Sequence, residues 1–247
     1  MFSWKNFLSE LDKKVMGIIN ITPDSFSGDG LLNSKLSIQD KYKIAENLDI
    51  EFLDIGCVST RPKYKKIKIE EEIERFEFFL KNINYKFKYS IDSTNINVIE
   101  KAIEAGFLVI NDVSGLKDKK IINKAKSTEA GLIVVHRNPS SKDIHEIKEY
   151  KDVVEEVKHQ LDETIESLIS EGIKESQIAI DPGLGFGKRI EDSAKLLLGV
   201  NKLCERFPVI VGYSKKKFRN LIPLSDKDLL DHCFDSGVSM VRLHLDN

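Results

Sequence analysis

The sequence predicts an α/β fold, a (β/α)8 TIM barrel, and three observations carry that expectation. Eight short β-type runs can be counted, nearly continuous in Ile, Val and Leu, as strands buried on both faces should be. Segments with helical periodicity lie between them. The whole alternation fits in 247 residues, the usual length of one such barrel. A doubly wound open sheet would not naturally need eight strands in this length.

In chain order, Trp4, Phe7, Leu8 and Leu11 have helical spacing ahead of the first strand. The strands are then Val15–Asn20, Phe52–Gly56, Tyr89–Asp92, Val109–Val113, Leu132–His136, Ile178–Asp181, Val209–Ser214 and Met240–His244. Ile69, Ile73, Phe76 and Leu80 share one face of a helix whose other face is rich in Glu and Lys. Val153, Val157, Leu161, Ile165 and Leu168 do the same on the longest helix. Gly106, Gly131, Gly172 and Gly237 stand between a helix and the next strand, where a left-handed cap is needed. Only three residues follow His244, so the outer helix after the eighth strand is expected to be missing. The apolar segment around Trp4, Phe7 and Leu8 is expected to pack beneath or beside the barrel and to cover that gap.

No Pro/Gly/Ser-rich linker or composition break divides the chain, so residues 1–247 are expected to form a single domain. Hydrophobic content of 41% supports a large core, and a formal net charge of -2 gives no reason to expect nucleic acid. No apolar run approaches a membrane span and no signal-peptide core opens the chain. Cys57, Cys204 and Cys233 are odd in number and lack CxxC spacing, which fits reduced thiols in a cytoplasmic protein.

Active sites of such barrels lie at the C-terminal ends of the strands. Read in order, those ends carry Asn20; Asp54, with Thr60 and Arg61 beyond; Asp92; Asn111 and Asp112; His136; Asp181; Ser214 and Lys216; and Arg242 with His244. Polar groups at all eight ends predict a site for something polar and anionic. The run from Asp181 to Lys188 is not a phosphate loop, because Pro182 and Arg189 occupy positions that need Gly and Ser or Thr. It reads instead as a tight turn that brings Asp181 to the mouth, with Phe186 as a stacking wall. A carboxylate there can accept two hydrogen bonds from an amino-pyrimidine edge. Arg242 and His244 alternate on one strand and point to one side, where Thr60, Arg61 and the Asn20 amide could complete a pyrophosphate pocket. His136 has no partner at metal-ligand spacing and is expected to orient groups or to pack. No nucleophile–base arrangement is evident.

These residues resemble the dihydropteroate synthase family along almost the whole chain. The matching elements are Asn20-Ile21-Thr22-Pro23-Asp24-Ser25-Phe26-Ser27, the stretch from Asp54 to Pro62, Ser90-Ile91-Asp92, Ile110 to Gly115, Asp181 to Lys188, Val211 to Lys216, and Val241 to His244. The resemblance implies a transferase of folate biosynthesis that condenses 6-hydroxymethyl-7,8-dihydropterin pyrophosphate with 4-aminobenzoate. It implies that Asp92, Asn111 and Asp181 bind the pterin edge and that Lys216 reaches its carbonyl or ring nitrogen. Asn20 would bind Mg²⁺, while Arg242 and His244 hold the pyrophosphate beside it. Lys216, Arg242 and His244 would then be the catalytic set, and Thr60, Arg61, Pro62 and Phe26 would shape the aminobenzoate subsite. A homodimer is also implied.

Departures from the family pattern are Cys57-Val58 for Gly-Glu, Lys63 for Gly, Lys215 for Arg, Val135 for Met and a short Lys216–Met240 segment. They keep open a non-catalytic pterin-binding paralogue. A methyltetrahydrofolate-dependent methyltransferase domain is the third reading, disfavoured because it needs neither the Ser-Thr-Arg-Pro loop nor an Arg–His pair.

Overall fold

The computed structural model describes residues 1–21, 37–58, 67–139, 141 and 143–245. Eight parallel strands, β1 (Val15–Asn20), β2 (Phe52–Gly56), β3 (Lys88–Asp92), β4 (Val109–Asp112), β5 (Gly131–Val135), β6 (Ile178–Asp181), β7 (Ile210–Gly212) and β8 (Met240–His244), form one sheet. Their order is β6-β5-β4-β3-β2-β1-β8-β7, and a parallel bridge between Ile180 and Val209 joins the two ends into a barrel. Seven helices connect them: α2 (Ile38–Asn47), α3 (Ile69–Leu80), α4 (Ile96–Glu104), α5 (Lys119–Thr128), α6 (Val153–Ser170), α7 (Ile190–Leu198) and α8 (Asp226–Asp235). The expected barrel is present, and no helix follows β8 among the described residues.

The period-two alternation of the strands builds the interior in layers. Met16, Phe52, Val109, Ile133, Ala179, Ile210 and Met240 form an apolar floor. Two residues further along their strands come Asp54, Asn111, Asp181 and Arg242, on the same inward face. The core turns from apolar to ionic in one step, and that step is where the site begins.

The first helix, α1 (Trp4–Glu10), closes the floor from below. The Trp4 indole Nε1 donates to the carbonyls of Leu132 at 3.2 Å and Gln177 at 2.9 Å. The Phe7 ring lies 4.7 Å from that of Phe52. The amphipathic segment therefore packs beneath the barrel, and it does not cover the flank of β1 and β8. Leu245 packs against β1, where a Cβ on Gly17 would meet its Cδ1 at 2.8 Å. Trp4→Ala is expected to cost about 3–5 kcal/mol, because it opens a cavity and strands two carbonyls. Urea unfolding checks this, with Trp4→Phe expected to lose less.

Two expectations about helices change. Gly106, Gly172 and Gly237 take positive φ as foreseen, but the cap of α5 falls on Glu129, at φ 55°. Gly131 starts β5 because the Phe2 ring sits against it, 2.6 Å from where a Cβ would be. On α3, Ile69 is exposed, and the buried face is Phe76 and Phe79 with the charged Glu72 and Arg75. The aromatic residues set this rotation by packing on Phe107 and Tyr89.

Candidate active site

The guanidinium of Arg242, from β8, occupies the centre of the barrel mouth. Its Nη2 donates to Asp54 of β2 and, at 3.3 Å, to Asp92 of β3. Its Nη1 lies 3.5 Å from Asp181 of β6. Asn111 of β4 donates from Nδ2 to the same Asp54 oxygen at 2.9 Å. Three strands thus meet the cation carried by β8, and β4 joins them through Asp54. Burial alone would lower the Arg242 pKa, but Asp54, Asp92 and Asp181 outweigh it and raise it, so the charge is permanent.

Three carboxylates around one arginine leave an excess of negative charge. Asp92 shows the consequence: burial first, and the Asp54 charge second, push its pKa up to about 7 against the pull of Arg242. Between pH 4 and 7 the folded protein therefore holds a proton that the unfolded chain has released, so this group makes stability fall as pH rises through that window. Asp92→Asn removes the titration. The variant is expected to gain stability over its parent progressively from pH 4 to 7 and to hold that gain above it. Thermal unfolding across the range checks this, and a gain independent of pH would contradict it.

Lys216 follows β7, the strand between β6 and β8. Its ammonium donates to the Leu184 carbonyl and lies 4.8 Å from the centre of the Phe186 ring. Burial draws its pKa down to about 8 despite Asp181 nearby. Both partners belong to the loop after β6, which is shaped by Gly183. At φ 64°, a Cβ there would lie 2.1 Å from the His136 carbonyl, so only glycine fits. The Gly183 amide donates to Oδ1 of Asp181 at 2.7 Å, aiming that carboxylate.

At the rim, the Ser214 hydroxyl lies 2.7 Å from Nδ1 of His244. The Asn20 side chain lies over Gly56, its Oδ1 3.1 Å from where a Cβ would project, with Asp92 beside it. Among the described residues no group of three or more His, Cys, Asp or Glu could hold a metal ion. A lone amide oxygen at the rim suits Mg²⁺ that arrives largely ligated by substrate phosphates and water.

Four buried polar atoms of this layer have no hydrogen-bond partner among the described residues: Asp54 Oδ1, Ser90 Oγ, Asn111 Oδ1 and Arg242 Nε. Each such atom costs on the order of 1–3 kcal/mol. Their concentration in one layer marks a place built to take up a polar ligand rather than to stabilise the barrel.

The structure thus brings together Asp92, Asn111, Asp181 and Arg242, sets Lys216 and Phe186 in contact beside Asp181, and puts Asn20 and His244 on the rim. Phe26, Thr60, Arg61 and Pro62 lie outside the described residues. Arg242, expected with the anion-binding residues, is tied to the carboxylates expected for the pterin. Asp54 was legible only as a polar strand end. Its signal was a carboxylate between Leu53 and Ile55 in a fully buried strand, which demands a buried cation. Arg75 and Glu72 were hidden on the charged face of α3. Arg75 donates to the Cys57 carbonyl at 2.9 Å, and Glu72 accepts from Ser93 at 2.6 Å, so α3 braces the ends of β2 and β3.

Comparison with known proteins agrees with this geometry. Residues 16–244 match the family model described as pterin binding enzyme. A dihydropteroate synthase of Clostridium beijerinckii is 34% identical over 213 residues, covering 84% of this chain and 76% of that protein. The solved dihydropteroate synthase of Anaplasma phagocytophilum with bound 6-hydroxymethylpterin-monophosphate superposes with a TM-score of 0.75 at 31% identity, covering 94% of this chain and 93% of its own. That of Xanthomonas albilineans with 4-aminobenzoic acid gives 0.75 at 29%, covering 94% and 87%. With its eight-stranded barrel and the ionic layer at its mouth, the chain belongs to the dihydropteroate synthase family of pterin-binding enzymes.

Proposed function

We propose that the chain is a working dihydropteroate synthase, condensing 6-hydroxymethyl-7,8-dihydropterin pyrophosphate with 4-aminobenzoate to give dihydropteroate and pyrophosphate. The observation that carries this is Arg242 held between Asp54, Asp92 and Asp181, with orphaned polar atoms around it and Lys216 near Asp181. Such a mouth offers carboxylates to an amino-pyrimidine and cations to a leaving anion, the two halves of one substrate.

In this reading Asp181 accepts from the amino-pyrimidine edge, Asp92 and Asn111 meet the rest of the ring, and Lys216 leaves the Leu184 carbonyl for the ring carbonyl or a ring nitrogen. Electron donation from the dihydropterin supports cationic character at the methylene as its C–O bond to pyrophosphate breaks. The neutral arylamine nitrogen then forms the C–N bond and gives up a proton to water. Arg242 and His244 stabilise the negative charge that gathers on the leaving group, where fixed charges act most strongly in a site shielded from water. No strong general base is needed, because the arylamine nitrogen is already neutral. Mg²⁺ held by Asn20 and the substrate would add Lewis-acid neutralisation of the pyrophosphate. Thr60, Arg61, Pro62 and Phe26 would form the aminobenzoate side. A cytoplasmic homodimer is the setting this reading carries, from the family resemblance and the free thiols. No helix among the described residues is long and apolar enough to cross a membrane.

The test is formation of dihydropteroate, with pyrophosphate release measured with and without 4-aminobenzoate. Pterin binding without product in the presence of Mg²⁺ would replace the synthase by a pterin-binding paralogue.

A further inference from the structure

Lys188 takes no part in the mechanism above, yet it is among the most enclosed lysines of the chain, 5% exposed. Its ammonium donates to the Gly183 carbonyl at 2.9 Å, to the Phe186 carbonyl at 3.2 Å and to Nδ1 of His136 at 2.8 Å. Three donors meet three neutral acceptors. Among the described residues no carboxylate lies within ion-pair distance of it. Burial accordingly draws its pKa down to about 7, with Asp181 pulling the other way through space.

His136 extends this contact into the barrel wall. The amide oxygen Oε1 of Gln160 on α6 can only accept, so Nε2–H donates to it at 3.0 Å and Nδ1 of the ring accepts from Lys188. Burial, followed by the Lys188 charge, holds the imidazole well below its usual range, to about 3, so the ring is neutral. The His136 backbone amide donates to the Asp181 carbonyl at 2.7 Å. The lysine is thereby fixed to β5, β6 and α6 at once.

The two carbonyls it grips straddle Leu184, whose own carbonyl receives Lys216, and one belongs to Phe186, whose ring lies beside the same ammonium. The Gly183 amide at the start of the grip aims Asp181. A buried cation without a counterion is a poor choice for stability alone. We propose that Lys188 is a positioning residue: by clamping the loop after β6 to His136, it holds Asp181, Leu184 and Phe186 in the arrangement that receives the pterin. The inference rests on the functional reading above and concerns the pterin half of the site only.

Lys188→Met tests it in the full chain. The Michaelis constant for the pterin substrate is expected to rise at least tenfold and that for 4-aminobenzoate to stay within twofold. Affinity for 6-hydroxymethylpterin, read by calorimetry, should fall by the same factor as the pterin constant rises. Unchanged pterin affinity would overturn the inference, as would parallel losses in both Michaelis constants and in folded fraction. If the methionine variant does not fold, Lys188→Gln, which keeps two donors, is measured in the same way. Failure of both to fold would assign the lysine to the fold and not to the site. The parent protein runs alongside: absence of dihydropteroate there sinks the synthase reading, while calorimetry on the pterin still decides the role of Lys188.

Discussion

Arg242→Ala is expected to lower turnover by about 10²–10³-fold, the usual loss when a fixed charge is removed from a developing anion, and to weaken binding of phosphate-free pterin as well. From sequence position alone the second effect would not be expected, since Arg242 and His244 alternate on β8 as an anion-binding pair. In the folded protein, however, the guanidinium is the counterion of Asp54, Asp92 and Asp181. Without it, three carboxylates share a buried layer, and protons must replace the missing cation. A protonated Asp92 offers one acceptor fewer to an amino-pyrimidine. Removing one partner of a buried ion pair also costs about 3–5 kcal/mol of stability, and the loss should grow with pH as the carboxylates are forced to ionise. Arg242→Lys keeps the charge but loses the fork that spans three carboxylates, so it should rescue stability better than turnover. Steady-state kinetics, calorimetry with 6-hydroxymethylpterin and unfolding at pH 6 and 8 separate the three effects. Intact pterin binding in a folded Arg242→Ala protein would show that the carboxylates do not need their cation.

The barrel was legible because its cause is local. Eight apolar runs of the right length, each followed by a helical period, leave few other ways to bury both faces of every strand. The strand-end residues were legible for the same reason, since the end of a parallel strand opens at one rim. What the sequence could not convey was who pairs with whom across the barrel. Asp54 and Arg242 stand 188 positions apart and meet only because β8 returns beside β1, itself next to β2. Lys188 and His136 meet across 52 positions because Gly183 lets the loop press against the His136 carbonyl. On α3, Ile73, Phe76 and Leu80 face the core as their spacing implies, and Ile69 alone of the four is exposed; Phe79 joins them through aromatic contacts with β3 and with the residues before β4. Linear patterns report which face is buried; they do not report the ionic partner that makes burial of a charge tolerable.

Asp181→Asn should weaken phosphate-free pterin roughly 10- to 150-fold, the equivalent of about 1.5–3 kcal/mol for a lost charged hydrogen bond. In the free protein both oxygens of Asp181 already have work: Oδ1 accepts from the Gly183 amide at 2.7 Å and Oδ2 faces Nη1 of Arg242 at 3.5 Å. A carboxylate has lone pairs to spare for a further donor on each oxygen. An asparagine has one acceptor oxygen and two donors. If that oxygen keeps the Gly183 amide, the amide nitrogen faces Arg242 and the ligand's own amino group, donor against donor. If the side chain turns over, the loop loses the contact that aims it. Either orientation damages the pterin edge while leaving the Arg242 cation in place, still paired with Asp54 and Asp92. The variant should therefore differ in kind from Arg242→Ala, with the pterin Michaelis constant rising more than turnover falls. Calorimetry beside steady-state rates reads both numbers. Turnover lost at saturating pterin, with affinity unchanged, would move Asp181 from recognition of the ring to the chemical step.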